Sequence, residues 1–159
     1  LDRMEAAACI LKFADSLTYE NEDTALQLRI VLNCLHMLAG SQRPVEEIFL
    51  FFHVRCLLVS GVMPDFSCCC LCGGEDNLTG YLPEEGGAVC SQCAGEAAPA
   101  SISPYARQAL VYITQAPLQK ALCFQADIAV IREANEAASM LVRYYLGLAP
   151  CEPAFRFKE

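Results

Sequence analysis

Apolar residues recur at helical spacing in the N-terminal part of the chain. Residues 3–19 carry an apolar stripe along one face, which predicts a first amphipathic helix. A second helix is predicted from Asp23 or Thr24, either of which can cap a helix N-terminus, to Gly40, since glycine commonly follows a last helical turn. Two such helices in succession indicate a helical bundle.

The third apolar segment differs from the first two because it lacks a polar face. Pro44 suits the first turn of a helix, and Gly61 ends the segment. From Ile48 to Val59 nearly every side chain is apolar, which is typical of a helix that is buried on all sides. We therefore expect this helix at the centre of the bundle.

Helical spacing disappears between residues 66 and 99, where glycine and cysteine become frequent, and then resumes. Ser103 followed by Pro104 combines an N-cap with a first-turn proline and predicts a helix to about Gln115, which Pro117 stops. A last helix is predicted over about residues 127–146, beginning at Asp127.

These segments predict a mainly α fold, a helical bundle with an inserted four-cysteine zinc-finger hairpin. We divide the chain into a first part of the bundle at residues 1–65, the zinc-finger insert at residues 66–99, and a second part of the bundle with the tail at residues 100–159. Because the insert interrupts the helical pattern, we expect the helices to have a core separate from it.

Two cysteine pairs in the insert have the spacing of a metal site. Cys69, Cys72, Cys90 and Cys93 form the pattern C-x2-C-x17-C-x2-C, which falls within the recognised range for zinc. Two cysteines three positions apart in a tight turn can aim both sulfurs at one tetrahedral ion. Residues 78–82 and 88–89 can pair as a hairpin and bring the second pair beside the first. We predict Zn²⁺ on these four cysteines, with iron as the less favoured alternative.

Four of the five residues at positions 68–72 are cysteines, so more than one pair of them could serve as metal ligands. Pairing Cys69 with Cys72 leaves two intervening residues and a following Gly73, a combination that the other pairings lack. We therefore interpret Cys68 and Cys70 as spectators, although an adjacent thiol could exchange into the site. Four cysteines fill a tetrahedron and leave no position for water, so the predicted metal is structural.

The remaining cysteines and the hydropathy pattern indicate a cytoplasmic protein. The chain has eleven cysteines, an odd number, and several lie in helix-periodic apolar runs, where they are small core residues of a reducing compartment. The most apolar run, Ile48 to Met63, is shorter than the ~20 residues of a membrane-spanning helix and contains His53 and Arg55. We interpret both histidines, His36 and His53, as core or interface residues.

Negative charge is concentrated in the first part of the chain. The net charge is −8, and no lysine or arginine lies between Arg55 and Arg107. By our count residues 1–95 carry the whole of this excess, and residues 96–159 are neutral. Because phosphate contacts need cations, the insert is predicted to repel DNA. The sequence pattern leaves the DNA-binding residues unknown.

Further motifs accompany the cysteine pairs. In chain order they are Gly61-Val-Met-Pro64, Cys69-x-x-Cys72-Gly73, the hairpin sequence YLPEEGGAV that precedes Cys90-x-x-Cys93, Ile102-Ser-Pro104, and Arg143-Tyr-Tyr-Leu-Gly147. Together they resemble the C-terminal part of the RecO family of bacterial recombination mediators. The order of helices, insert and helices extends the resemblance over nearly the whole chain, and the Glu-Glu-Gly-Gly hairpin is its most specific element.

The resemblance implies a role in DNA repair and recombination. Members of the family begin with an OB-fold domain that binds single-stranded DNA, and we expect this domain to lie upstream of Leu1 and to be absent from residues 1–159. They anneal strands and, with RecR, help to load RecA on single strands coated by single-strand-binding protein (SSB). RecR and SSB are thus the implied partners, and single-stranded DNA would be bound mainly through the missing N-terminal domain.

Two other classes of function are compatible with the pattern. A zinc-ribbon adaptor for protein interactions, without a DNA role, would also carry a structural metal in a helical chain. A small enzyme or redox protein is the third class, but no group of residues in the sequence has a catalytic arrangement. We therefore expect a protein that is not an enzyme and that does not enter a membrane.

Overall fold

The computed structural model describes residues 3–18, 24–95 and 99–152, and within these ranges the chain is mainly helical. The α-helices are α1 (Arg3–Thr18), α2 (Thr24–Gly40), α3 (Val45–Val59), α4 (Ser91–Ala94), α5 (Pro104–Gln115), α6 (Leu118–Leu122) and α7 (Ile128–Leu141). The helices predicted over residues 3–19 and 24–40 are therefore confirmed, whereas the alternative N-cap Asp23 lies outside the described residues.

Helix α3 lies at the centre of the bundle, as its uniform apolarity predicts. Every side chain from Ile48 to Leu57 is buried, including those of His53 and Arg55. Neighbouring helices α1, α2, α5 and α7 all pack against it. A helix that is apolar on all faces can leave water only when it is surrounded in this way.

Helix α5 has the boundaries that its capping residues predict. The Ser103 hydroxyl accepts a hydrogen bond from the Ala106 amide, and Pro104 is the first helical residue. Asp127 likewise caps α7 by accepting from the Ala129 amide. The predicted last helix ends as α7 at Leu141 and continues as a π-helical turn over Val142–Leu146.

A small mixed sheet occupies the region between α3 and α5. Its strands are β1 (Asp65–Cys69), β2 (Leu78–Leu82), β3 (Gly87–Cys90) and β4 (Ala100–Ser101), in the spatial order β1-β3-β2-β4. Strands β2 and β3 are antiparallel, as predicted, and are joined by a 3-10 turn over Pro83–Glu85. Strand β1 is parallel to β3, and β4 is antiparallel to β2. We call residues 65–95 and 99–101 the sheet region.

The sheet region and the helices share one hydrophobic core, which corrects the prediction of a separate helical core. Phe66 of β1 and Tyr81 of β2 are buried with ring centroids 5.7 Å apart, in the same cluster as Leu110 of α5 and Leu141 of α7. The sheet has only two faces, and one of them must be covered by other elements to leave water. Here the helices cover it.

Arginine side chains from distant positions bind the C-terminal ends of three helices. The Arg3 guanidinium donates to Leu38 O at the end of α2, 2.9 Å away. Arg43 donates to Leu122 O at the end of α6, and Arg55 donates to Ala116 O at the end of α5. The last carbonyls of a helix have no partner within it and carry partial negative charge, which explains the choice of a cation.

Candidate metal centre

Four cysteine sulfurs converge at one end of the sheet. Cys69 ends β1, Cys72 lies in the following turn, Cys90 ends β3 and Cys93 lies in α4. Their sulfur atoms all lie within 4.8 Å of one another, and those of Cys72 and Cys90 are 3.9 Å apart. The structure therefore brings together the four cysteines that the spacing selects, and we call them the metal-centre cysteines.

Backbone hydrogen bonds shape the first cysteine pair into a tight turn. The Gly73 amide donates to Cys69 O, and the Cys69 amide donates to Gly74 O, each over 2.8 Å. Gly73 has a φ of +74°, in the left-handed region that a side chain disfavours. The glycine after the pair thus allows the chain to reverse beneath the two sulfurs.

The second pair is placed by the end of β3. Its Cys90 amide donates to the Cys69 sulfur at 3.4 Å, which links the two pairs through the backbone. The next amide, that of Ser91, donates to Asn77 O at 3.0 Å and fixes the loop before β2. The short helix α4 then turns Cys93 back toward the other sulfurs and ends at Gly95.

Two of the metal-centre cysteines, Cys69 and Cys93, have pKa values that are shifted in opposite directions. The backbone amide of Cys90 is the main cause that lowers the pKa of Cys69, to about 6. Hydrogen bonds with Cys90 and Cys72 raise the pKa of Cys93. Since metals bind thiolates, the Cys69 sulfur is ready to bind near neutral pH, and metal binding would release a proton from Cys93.

The geometry and the donor set fit a tetrahedral metal ion. Four sulfurs at about 2.3 Å from such an ion lie roughly 3.8 Å from one another, close to the 3.9 Å between Cys72 and Cys90. Four thiolate donors suit both zinc and iron. The cluster can therefore hold a metal ion, and its four positions would be filled by protein.

Cys68 and Cys70 lie outside this group of sulfurs. The Cys68 thiol donates to the Asp65 carboxylate at 3.7 Å, and the charge of Asp65 is the main cause that raises the pKa of Cys68. The Cys70 amide donates to Ala88 O at 2.8 Å, as part of the contact between β1 and β3. Alternation along β1 places Cys68 on the other side of the strand from Cys69, and Cys70 already belongs to the turn that follows the strand.

A second group of four cysteines lies in the helical core. We call Cys9, Cys34, Cys56 and Cys151 the core cysteines. Burial is the main cause that raises the pKa of Cys34, Cys56 and Cys151, and the Cys151 thiol is hydrogen-bonded to that of Cys9. Cys9, Cys34 and Cys56 are the small core residues that helical periodicity predicts, whereas nothing in the irregular sequence around Cys151 predicts its burial.

His53 connects one of the core cysteines to α3 and α7. Its Nδ1 lies 3.1 Å from Asn135 Oδ1, and its Nε2 accepts the Cys151 amide at 2.9 Å. Burial lowers the pKa of His53 to about 4, so the ring is neutral and donates from Nδ1. Both ring nitrogens are occupied, which confirms a core role, whereas His36 is exposed on α2.

Most of the arginines of the described residues are committed to other groups. Arg107 donates to Phe66 O at 2.8 Å, in addition to the three arginines at helix ends. Arg132 pairs with Glu46 at 3.7 Å, and Arg143 pairs with Glu152.

None of the helices that the structure describes has both the length and the apolar character of a membrane-spanning segment.

The chain is similar in sequence to proteins that are named DNA repair protein RecO. The family model described as "Recombination protein O C terminal" matches residues 1–151. A DNA repair protein RecO of Frankia casuarinae is 34% identical over 91% of this chain and 58% of its own length. RecO proteins of Anaeromyxobacter sp. and Acetivibrio thermocellus are 31% and 26% identical over 92% and 90% of this chain.

The chain spans less than two thirds of the length of these relatives, 58% to 59% in the three cases. No solved structure matches the chain significantly. The match to the C-terminal region of the family nevertheless extends over residues 1–151, which is nearly the whole chain. The chain belongs to the RecO family of DNA repair proteins and corresponds to its C-terminal region.

Proposed function

We propose that this chain is the C-terminal part of a recombination mediator. It assists strand annealing and the loading of RecA, together with RecR, on single-stranded DNA that is coated by SSB. The match to the RecO C-terminal model over residues 1–151 carries this proposal. In this proposal the chain acts in the cytoplasm and has no catalytic part. Two features support this: both His53 ring nitrogens are occupied, and a metal on the four thiolates would have no ligand position open for water.

The metal in this proposal is a structural Zn²⁺ ligated by Cys69, Cys72, Cys90 and Cys93. The converging sulfurs, the turn at Gly73 and the low pKa of Cys69 support it. When bound, zinc would cross-link the end of β1 to the end of β3. The chain's own hydrogen bonds already align these two ends, so the metal closes an arrangement that the backbone prepares.

Single-stranded DNA would be bound mainly by an N-terminal OB-fold domain, not by this region. Four of the described arginines donate to backbone carbonyls, and Arg132 and Arg143 are ion-paired. Few cations are thus left for phosphates. We expect weak binding of single-stranded DNA by the 159-residue chain, with a shallow dependence on salt, because each phosphate contact with a single strand adds only about 0.7 to the slope of log K against log salt concentration.

Fluorescence anisotropy with a labelled oligonucleotide near physiological salt tests this expectation. The protein that carries this chain together with an OB-fold domain should bind much more tightly than the chain alone. Arg132→Ala and Arg143→Ala should change the binding of the chain alone only slightly. Tight binding by the chain that is lost in these two variants would place the DNA-binding surface here and overturn the proposal.

The mediator role is tested with the complete protein on SSB-coated single-stranded DNA. Strand annealing and the RecA ATPase should be stimulated when RecR is present, and Cys69→Ser should reduce both. The alternative function, a zinc-ribbon adaptor without a DNA role, predicts no stimulation in either assay while binding of another protein persists. No single observation favours the adaptor, so the mediator is our conclusion.

A further inference from the structure

An apolar groove lies between α1 and α2, lined by residues of these two helices and of α3. It has a volume of about 390 Å³, and Phe52 and Cys56 of α3 form its floor. This volume is in the range of small-ligand pockets and also accommodates a few side chains of a peptide. Because the groove involves none of the metal-centre cysteines, its function is separate from that of the metal.

The groove contains a buried polar group without a partner. Gln27 is only 8% exposed and lines the groove, and its Nε2 makes no hydrogen bond within the described residues. Buried amide donors in folded proteins are nearly always paired, because an unpaired one is destabilising. Nε2 itself is buried in this structure, and the carbonyl oxygen of a bound molecule would satisfy it once the Gln27 amide turns toward the groove.

The walls of the groove expose large apolar side chains. Leu11 of α1 is 51% exposed and Leu28 of α2 is 58% exposed, and both line it. Leu32, one turn further along α2, is 57% exposed and extends the apolar surface past the groove. An apolar strip that is longer than its cavity suits a helical peptide, whose anchors recur every three or four residues, better than a compact small molecule.

Asp15 gives the groove a negative charge. It is the one charged side chain among the lining residues, and it forms no ion pair with another described residue. A cation on the bound segment would therefore be favoured at this end, and an acidic segment would be disfavoured.

We propose that the groove between α1 and α2 binds an amphipathic helical segment of a partner protein. Its apolar side chains enter the cavity, a backbone or side-chain carbonyl accepts from Gln27, and a lysine or arginine faces Asp15. The proposal does not depend on the mediator function, since it rests on the groove alone.

Two synthetic peptides of about 16 residues test the proposal, each with leucines at helical spacing. One carries a lysine beside the leucines, and its twin carries a glutamate at the same position. Fluorescence anisotropy with the 159-residue chain should show the lysine peptide binding about two- to fivefold more tightly, the size of one exposed ion pair. Asp15→Asn should remove this difference, whereas Glu75→Gln, an exposed carboxylate of the sheet region, should preserve it.

Further variants separate the groove from other apolar surfaces. Leu28→Ser should weaken both peptides about tenfold, the effect of one lost leucine anchor, whereas Tyr105→Ala in a different apolar cavity should have no effect. Gln27→Leu should raise the melting temperature and weaken both peptides. Circular dichroism of each variant checks that its fold is intact.

Three results would overturn the proposal. Equal or tighter binding of the glutamate peptide would assign the groove to an acidic segment. Unchanged affinity in both Leu28→Ser and Gln27→Leu would show that the peptides bind elsewhere. Self-association in sedimentation experiments that Leu28→Ser abolishes would identify a second copy of the chain as the occupant.

Discussion

The metal-centre cysteines and the core cysteines are the same residue type in one chain, yet their surroundings give them opposite chemistry. At the sheet end, backbone amides lower the pKa of Cys69 to about 6 and favour the thiolate. In the helical core, desolvation raises the pKa of Cys34 and Cys56 and keeps their thiols neutral. Donated hydrogen bonds thus prepare one group for a metal, and apolar packing makes the other group inert.

The largest expected difference between the two groups is in metal content. Cys69→Ser should reduce bound zinc from about one ion per chain to almost none and destabilise the chain by at least about 3 kcal/mol, because structural zinc contributes roughly 10 kcal/mol or more in isolated zinc-finger peptides. Elemental analysis and thermal unfolding measure both quantities. Full zinc content in Cys69→Ser would refute the assigned ligand set, and a red, iron-containing protein prepared with ample zinc would indicate iron instead.

Removal of the metal from the unmodified chain should affect the helices as well. Because Phe66 and Tyr81 share the core of α5 and α7, we expect a chelator to lower the temperature of one common transition. Far-ultraviolet circular dichroism follows the helices. The part of the tyrosine near-ultraviolet signal that Tyr81→Phe removes follows the sheet region, because the other five tyrosines of the chain lie outside it. Loss of this Tyr81 signal while the helix transition stays at its original temperature would show that the two parts unfold independently.

Acidification should lower the stability of the helical core, which contains the core cysteines, through protonation of the His53 ring. Its pKa falls from 6.5 to about 4 on folding, so the unfolded chain binds more protons between these values. The stability that the neutral ring contributes is complete above pH 6.5 and is lost as the pH falls toward 4, by about 3 kcal/mol in total.

Urea unfolding of the metal-free chain at several pH values measures this loss. His53→Leu should be less stable at pH 7 but should show a smaller decline between pH 6.5 and 4. Keeping the chain metal-free removes the proton-coupled loss of metal, and Cys69, whose pKa is about 6, titrates near the top of this pH range in both proteins. An equally steep decline in the variant would mean that other groups cause the acid sensitivity.

A moderate effect is expected from replacing a core cysteine. Cys34→Ala leaves a small cavity and should cost about 1 kcal/mol, the typical size of a single substitution, without changing zinc content. Denaturant unfolding and elemental analysis of the same preparation check both parts. Loss of zinc in this variant would show that the two groups of cysteines are coupled.

The smallest effects are expected at Cys68 and Cys70. Serine at either position should leave about one zinc ion per chain and change stability by less than about 0.5 kcal/mol, as for most surface substitutions. Metal analysis of the two variants beside Cys69→Ser gives a direct comparison within one strand. If Cys68→Ser or Cys70→Ser abolished stoichiometric metal while Cys69→Ser kept it, the register of the site would be wrong.

Local signals made several elements predictable from the sequence. Ser103 and Pro104 define the start of α5 because capping depends on adjacent residues alone. The cysteine spacing together with Gly73 selects the four sulfurs that converge, since the turn geometry is also local. The burial of α3 follows from its composition.

Elements that depend on distant partners were not predictable in this way. Strand β1 is parallel to β3, and β4 has only two residues, so neither carries a pattern of its own. Pro117 suggests only a stop after α5, although it also precedes the first residue of α6. The shared core was missed because amphipathic spacing shows which face is buried, not which element covers it.

The arginine contacts at helix ends have a consequence for the order of folding. They join Arg3 to Leu38, Arg43 to Leu122 and Arg55 to Ala116, which are 35, 79 and 61 positions apart. Helix termini usually fray independently of the rest of a protein. Here the arginine bonds to the last turns of α2, α5 and α6 form only when remote parts of the chain have met, so we expect these ends to open together with the whole domain.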